Sequence, residues 1–205
     1  YITRTGGQLA GRNAISTMYA KGLRILNNEI TDASYSGIAT GWGWSEWPNG
    51  GSDNLVQGNF VSNVTRALND GGGIYTLGAQ PNTLVTENVF EHIQLGNADL
   101  YADGGSAEML WTDNVLLDTQ AVYMLFTNGI HDMTIVNCYS DQKNFIDNTT
   151  AEAANVTNPI TTYLPGIPTP RAYEIIEGAG LPPEYETIRE WVYEDEMQMP
   201  DFRQN

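Results

Sequence analysis

Two acidic residues stand in settings suited to acid–base chemistry. Asp70 precedes Gly71-Gly72-Gly73 and the apolar run Ile74-Tyr75-Thr76-Leu77. Asp103 follows Leu100-Tyr101-Ala102 and precedes Gly104-Gly105-Ser106, 33 residues further on. Glycine lets another molecule come close to the backbone. Two carboxylates brought to one place can divide the work of acid and base or nucleophile, as cleavage of a glycosidic bond requires. Carboxyls roughly 5 Å apart imply retention at the anomeric centre, and roughly 6.5–9.5 Å implies inversion. The structural alternative is that Asp-Gly pairs simply form turns. Asp70 precedes Ile74 by four positions, whereas Asp103 follows Leu100 by three. Flat strands would hold the two apart, so the glycine run is expected to fold back.

Other chemistries find little support. There is no Walker loop, HExxH, GxSxG or cysteine cluster, and Gly71-Gly72-Gly73 lacks the lysine and helix of a phosphate cradle. The two histidines, His92 and His131, leave little room for a metal site, and His92 falls in a polar repeat column that suits a turn. Cys138 stands alone in an apolar repeat position and reads as a buried, inert thiol. No metal and no cofactor are expected. The net charge of -16, with 9 Lys and Arg, disfavours nucleic acid, anionic lipid and polyanionic polymers as partners. It suits neutral substrates or an acidic or saline medium, or it serves solubility alone. No stretch is apolar enough to span a membrane. The sequence opens at Tyr1 without Met or a signal peptide and reads as a processed or truncated piece.

The elements that must position the aspartates come from a repeat. The pattern apolar-x-x-Asn-x-apolar-x-polar recurs with asparagines at 28, 59, 88, 114 and, more weakly, 137, spaced 31, 29, 26 and 23 apart. Two residues later come Ile30, Val61, Phe90, Leu116 and Tyr139; four later come Asp32, Asn63, His92, Asp118 and Asp141. Alternation with period two means strand, and this repeat length means a solenoid. The expected fold is all-β: a right-handed parallel β-helix of about five coils, with the asparagines stacked as an internal ladder. Residues 1–21 read as an incomplete first coil or a lead-in loop.

A second strand follows in each coil, at residues 37–40, 73–76, 99–102 and 121–124. Tyr75, Tyr101 and Tyr123 then share an outward column suited to stacking against pyranose rings, unless loops bury it. The loop 41–51 carries Trp42, Trp44 and Trp47 among glycines, and Ala79-Gln80-Pro81-Asn82 reads as a tight turn. Loops of varying length on one side of a regular coil mark a functional face. The solenoid is assigned to residues 1–150. Residues 151–205 read as a proline-marked strap over 159–170, two short helices at Arg171–Glu177 and Pro183–Tyr193 that cap the solenoid, and a frayed end from Glu194 to Asn205.

The motifs Gly41-Trp42-Gly43-Trp44, Asp70-Gly71-Gly72-Gly73-Ile74-Tyr75-Thr76-Leu77-Gly78 and Leu100-Tyr101-Ala102-Asp103-Gly104-Gly105-Ser106 resemble right-handed parallel β-helix glycoside hydrolases. The nearest resemblance is to the bacterial group around glycoside hydrolase family 141, with α-fucosidase and xylanase activities. Ala172-Tyr173-Glu174-Ile175-Ile176 and Ala179-Gly180-Leu181-Pro182-Pro183-Glu184-Tyr185 resemble that group's C-terminal ending. The resemblance covers about residues 22–190. It implies Asp70 and Asp103 as catalytic residues and Trp42, Trp44, Tyr75 and Tyr101 as cleft lining. Gly104 departs from it, standing where the group usually has an acidic residue. The family's many N-terminal coils do not appear in this sequence, so further coils or a second chain are expected to complete the cleft.

The expectation is a secreted or periplasmic hydrolase of poly- or oligosaccharide. A polysaccharide lyase on the same scaffold is one alternative, disfavoured by the few basic residues available to neutralise a uronate. A non-catalytic carbohydrate-binding β-helix is the other.

Overall fold

The computed structural model describes residues 1–126, 129–149, 154–156 and 160–191. The frayed end expected at Glu194–Asn205 lies outside these residues, as do Asn128 of the His131 loop and Pro159 of the strap. The strands pair in parallel into three sheets, and the chain visits the sheets in the same order on each turn, about six times. One sheet stacks Ile2–Thr3, Glu29–Thr31, Phe60–Val64, Val89–Ile93, Val115–Leu117, Cys138–Ser140 and Ile160–Thr162. It is called the ladder sheet below. The second, the tyrosine sheet, stacks Ile15–Thr17, Ile38–Thr40, Gly72–Thr76, Ala98–Ala102, Tyr123–Leu125 and Ile146–Asp147. The third stacks Arg24–Leu26, Leu55–Gln57, Ala79–Thr86, Ala107–Thr112, Met133–Val136 and Ala154–Val156. Residues 1–21 thus belong to a first turn. The segment Ala79–Asn82 is not a tight turn but the start of a strand with Asn82 in the left-handed region.

Three inward columns fill the interior. Ile30, Val61, Phe90 and Leu116 lie in register, as do Ile38, Ile74 and Leu100, and Val56, Val85, Trp111 and Ile135. All are fully buried. Each aliphatic side chain placed there contributes about 1.5–3 kcal/mol.

The polar part of the repeat makes the corners. Asn27, Gly58, Glu87, Asp113 and Asn137 all have positive φ, and so do Asp32, Asn63, His92 and Asp118 at the next corner. Asparagine and aspartate tolerate this left-handed conformation better than most residues, which explains the recurring polar position. Between these corners the ladder runs: Asn28, Asn59 and Asn88 each donate Nδ2–H to Oδ1 of the next asparagine, at 2.9, 2.8 and 2.9 Å, ending at Asn114.

Two registers expected from the sequence are corrected, each by one residue. Val115 pairs with Tyr139, so Cys138, not Asn137, follows Asn114 in the ladder, with its Sγ 3.9 Å from Asn114 Nδ2. Asn137 takes the left-handed corner instead, and Ser140, not Tyr139, points inward. Burial pushes the Cys138 thiol up to about 12, consistent with an inert role. In the tyrosine sheet Leu100 pairs with Tyr123, which enters the core; Met124 follows Tyr101 in the outward column. Ala121–Leu125 is apolar and buried throughout, so no alternation in the sequence selects its register.

The covering element expected beyond Asn148 lies along the flank of the stack. Strands Ala154–Val156 and Ile160–Thr162 extend their sheets, so the solenoid runs past residue 150. The chain then turns back. Helix Pro170–Gly178, capped by Thr169 Oγ1, sets Ala172 and Ile175 against Val89 and Val115 of the ladder sheet. Gly180 N donates to Gly58 O at 2.8 Å, and Arg189 grips Glu29 with two donors. The tail therefore runs back from the last turns to the second strand of the ladder sheet. The expected helix Pro183–Tyr193 is interrupted: Pro183–Tyr185 is a single 3-10 turn and helical backbone resumes at 188–191, while Val192 and Tyr193 lie outside the described residues.

Asp99, in the tyrosine sheet, is fully buried and neither carboxyl oxygen has a hydrogen-bond partner. Burial pushes its pKa well above the carboxylate range; the Thr119 hydroxyl acts downward, and the charges of Asp141, Asp118 and Glu91 add to the rise. Thr119 gives its proton to Ala121 O at 3.1 Å, so its effect on Asp99 is small. The folded state therefore keeps a proton that the unfolded chain releases near pH ~4. This stability is full below that pH and is lost as pH rises toward the folded value. Asp99→Asn is expected to flatten the slope and to be more stable than the parent at pH 7. Urea midpoints between pH 4 and 8 check this; identical slopes would show that Asp99 is ionised in the folded protein.

Candidate functional site

The loop 41–51 leaves the tyrosine sheet after Thr40 and climbs across successive turns. It can do so because the corner beneath it is a column of glycines. A Cβ on Gly78 would lie 2.5 Å from Asn49 Nδ2, on Gly104 3.4 Å from Trp44 Cδ1, on Gly105 2.3 Å from the Ser45 backbone, and on Gly129 3.0 Å from Glu46 Oε2. Asn49 closes the loop by donating to Trp42 O at 3.1 Å and accepting from Gly51 N at 2.8 Å. The tryptophans stay exposed, Trp42 at 41%, Trp44 at 59% and Trp47 at 75%, with the first two rings edge to face at 5.0 Å. Such rings on a docked wall can stack against a sugar. Gly105→Ala would strain a φ of +75° and drive Cβ into Ser45. It is expected to cost at least about 1 kcal/mol and to red-shift tryptophan fluorescence as the loop lifts; an unchanged spectrum would show that the loop is not held there.

Asp70 stands at φ 57°, two positions before the start of strand Gly72–Thr76. The left-handed backbone falls at the aspartate itself, and none of the three glycines has a positive φ. Gly71, Gly72 and Gly73 answer close contacts instead: added Cβ atoms would meet Ser36 Oγ at 2.6 Å, Ala98 O at 2.5 Å and Phe90 Cδ1 at 2.5 Å. Asp103 follows the next strand of the same sheet and is 6% exposed.

Tyr75 and Tyr101 are register partners, with ring centroids 5.1 Å apart at 73°. Their hydroxyls cross between turns. Tyr75, on the turn of Asp70, donates to Asp103 Oδ2; Tyr101, on the turn of Asp103, donates to Asp70 Oδ1 at 3.0 Å. Asn97 Nδ2 adds a contact to Asp70 Oδ1 at 3.3 Å, and Gly104 N donates to Asp103 Oδ1 at 2.7 Å. Asp70 is exposed, whereas both Asp103 oxygens are engaged. Tyr101 is 1% exposed, in a cluster with Ala98, Ala121 and Met124, and Tyr75 is half-buried beside it. These rings are therefore not the open stacking face expected from the sequence; the tryptophans are the exposed aromatics.

Burial, then the neighbouring aspartates, push the Tyr75 and Tyr101 hydroxyls far above their ordinary value. Tyr35 is also raised, by burial first and then by the charges of Asp70 and Asp103. Its hydroxyl donates to Asp70 O at 2.7 Å. Tyr35 and Asn97 were not legible as site residues in isolation. Counting back three positions from Ile38, Ile74 and Leu100 would have found them, since it aligns Tyr35, Gly71 and Asn97 in one column; Asn97 N bonds Gly71 O at 2.8 Å.

Among the described residues no group of three His, Cys, Asp or Glu is placed to hold a metal ion, and no helix is long and apolar enough to cross a membrane. His92 sits at its corner, 3.0 Å from Asp118. Two hollows of about 370 Å³ lie elsewhere, one between helix Pro170–Gly178 and the ladder corner, the other under the base of the tryptophan loop. Asp70 and Asp103 line neither.

No family model and no curated protein sequence matches the chain. A solved structure named "Glycoside hydrolase" is 28% identical over 90% of this chain, with a TM-score of 0.63. The match covers 27% of that longer chain. The likeness thus spans nearly all of the solenoid described here.

Proposed function

We propose that this chain carries the carboxylate face of a glycoside hydrolase acting on neutral poly- or oligosaccharide outside the cytoplasm, with Asp70 and Asp103 as the reacting pair. One observation carries the reading: aspartates from adjacent turns are tied by crossed hydrogen bonds to one pair of in-register tyrosines. The named neighbour supports the reaction class, and the resemblance to the family 141 group supports the residues. Trp42, Trp44 and Trp47 supply the stacking surface. The net charge of -16 favours neutral over uronate-rich substrates.

A non-catalytic sugar-binding role is the second reading, favoured by the burial of Asp103 with both oxygens engaged. The deciding test is reducing-sugar release from xylan and fucosylated polysaccharide by the intact chain and by its Asp70→Asn and Asp103→Asn variants. Wild-type rates in both variants exclude the pair; binding without product release selects the second reading.

A further inference from the structure

We propose that Tyr75 and Tyr101 are positioning residues: each phenol aims the carboxylate of the other's turn, so the two aspartates are oriented as a coupled pair. This rests on the reading of Asp70 and Asp103 given above.

Asp70 is an exposed residue on a turn, and alone it would sample several rotamers. The group that constrains it belongs to a ring that cannot wander. Tyr101 is 1% exposed, packed among Ala98, Ala121 and Met124, with Tyr75 against it at 5.1 Å. A catalytic group held by a locked neighbour keeps its direction, and small misplacements of such groups are costly. Asp103 has the same arrangement in reverse, with the Gly104 amide as its second donor. Both hydroxyls are buried beside carboxylates and keep their protons, so they serve as donors rather than as acids or bases. Among the described residues Tyr35 also faces the pair; it holds the Asp70 backbone and leaves the carboxylate to Tyr101 and Asn97.

The crossing has a consequence that a merely structural role lacks. Each phenol acts on the carboxylate of the neighbouring turn, so its removal is read out there. Tyr101→Phe and Tyr75→Phe keep the ring and lose only the hydroxyl. In the intact chain, Tyr101→Phe is expected to leave KM within about twofold and to lower kcat by about 10-fold to 10²-fold. The acidic limb of its pH–kcat profile moves to higher pH, because a carboxylate that loses a donor holds its proton more tightly.

A second measurement needs no substrate: ¹³C-carboxyl titration by nuclear magnetic resonance. The Asp70 midpoint is expected to move in Tyr101→Phe and not in Tyr75→Phe, and the Asp103 midpoint to do the reverse. An unmoved Asp70 midpoint in Tyr101→Phe, or both midpoints moving equally in both variants, overturns the proposal. Full activity in Asp70→Asn and Asp103→Asn excludes the two aspartates as the reacting pair instead, while the titration still decides the positioning.

Discussion

Asp70→Asn is expected to lower turnover by about 10²–10⁴-fold, the range associated with a positioned acid or base, and to leave stability nearly unchanged. Asp70 is exposed, and its carboxyl contacts are the Tyr101 hydroxyl and the Asn97 amide, both on Oδ1. An asparagine Oδ1 accepts the same two bonds, so the fold loses nothing while the titratable group disappears. Asp103→Asn is expected to behave differently. Its Oδ1 accepts from the Gly104 amide and its Oδ2 from Tyr75, so an amide NH₂ must face one of these donors. If it faces Gly104, a buried N–H is left unpaired beneath Trp44, at about 1–3 kcal/mol. If it faces Tyr75, the phenol must turn round and accept. Kinetics of both variants beside their urea midpoints check the asymmetry. A stability loss in Asp70→Asn equal to that in Asp103→Asn would show that Asp70 is a structural turn residue.

The second large effect lies in the ladder. Asn88 is fully buried, and its side chain makes five hydrogen bonds. Its Oδ1 accepts from the backbone and side-chain N–H of Asn59. Its two Nδ2 hydrogens are shared among Val56 O, Thr86 O and Asn114 Oδ1. Truncation to alanine strands groups on three turns at once, in an interior where no other donors or acceptors replace the lost ones. Asn88→Ala is expected to cost about 3 kcal/mol or more. Asn28 stands at the half-buried end of the same stack and donates to Asn59 without a further asparagine donating to it from the preceding turn. Asn28→Ala is expected to cost about 1 kcal/mol. Thermal and denaturant unfolding of the two variants measures the difference. Equal losses would mean that the ladder stabilises by local turn geometry rather than as a continuous network.

Much of this architecture was written in local periodicity. The asparagines at 28, 59, 88 and 114, with their apolar and polar companions, define strands, corners and stacking, because a solenoid repeats one local solution. Legibility fails where local chemistry allows two solutions. Asn137 can serve either a ladder or a left-handed corner, and its alignment with Asp113 settles which. Ala121–Leu125 has no alternation, so only pairing with Ala98–Ala102 sends Tyr123 inward and Met124 outward. The carboxylate pair and the tryptophan loop were visible as composition: acids beside glycines, aromatics among glycines.

What composition could not hold is which atoms meet. The crossing of Tyr75 to Asp103 and Tyr101 to Asp70, the seating of Ser45 on Gly105, the arrival of Tyr35 at the Asp70 backbone and the return of the tail to Glu29 each join residues from different turns. Along the chain these partners are 28 or more positions apart, with loops of unequal length between them. The sequence by itself determined a parallel β-solenoid with acids and aromatics on one side. The stacking of turns at fixed register decided that the acids are held by tyrosines and the aromatics by a column of glycines. A sequence repeat specifies the rung; contacts between rungs exist only once the rungs are stacked.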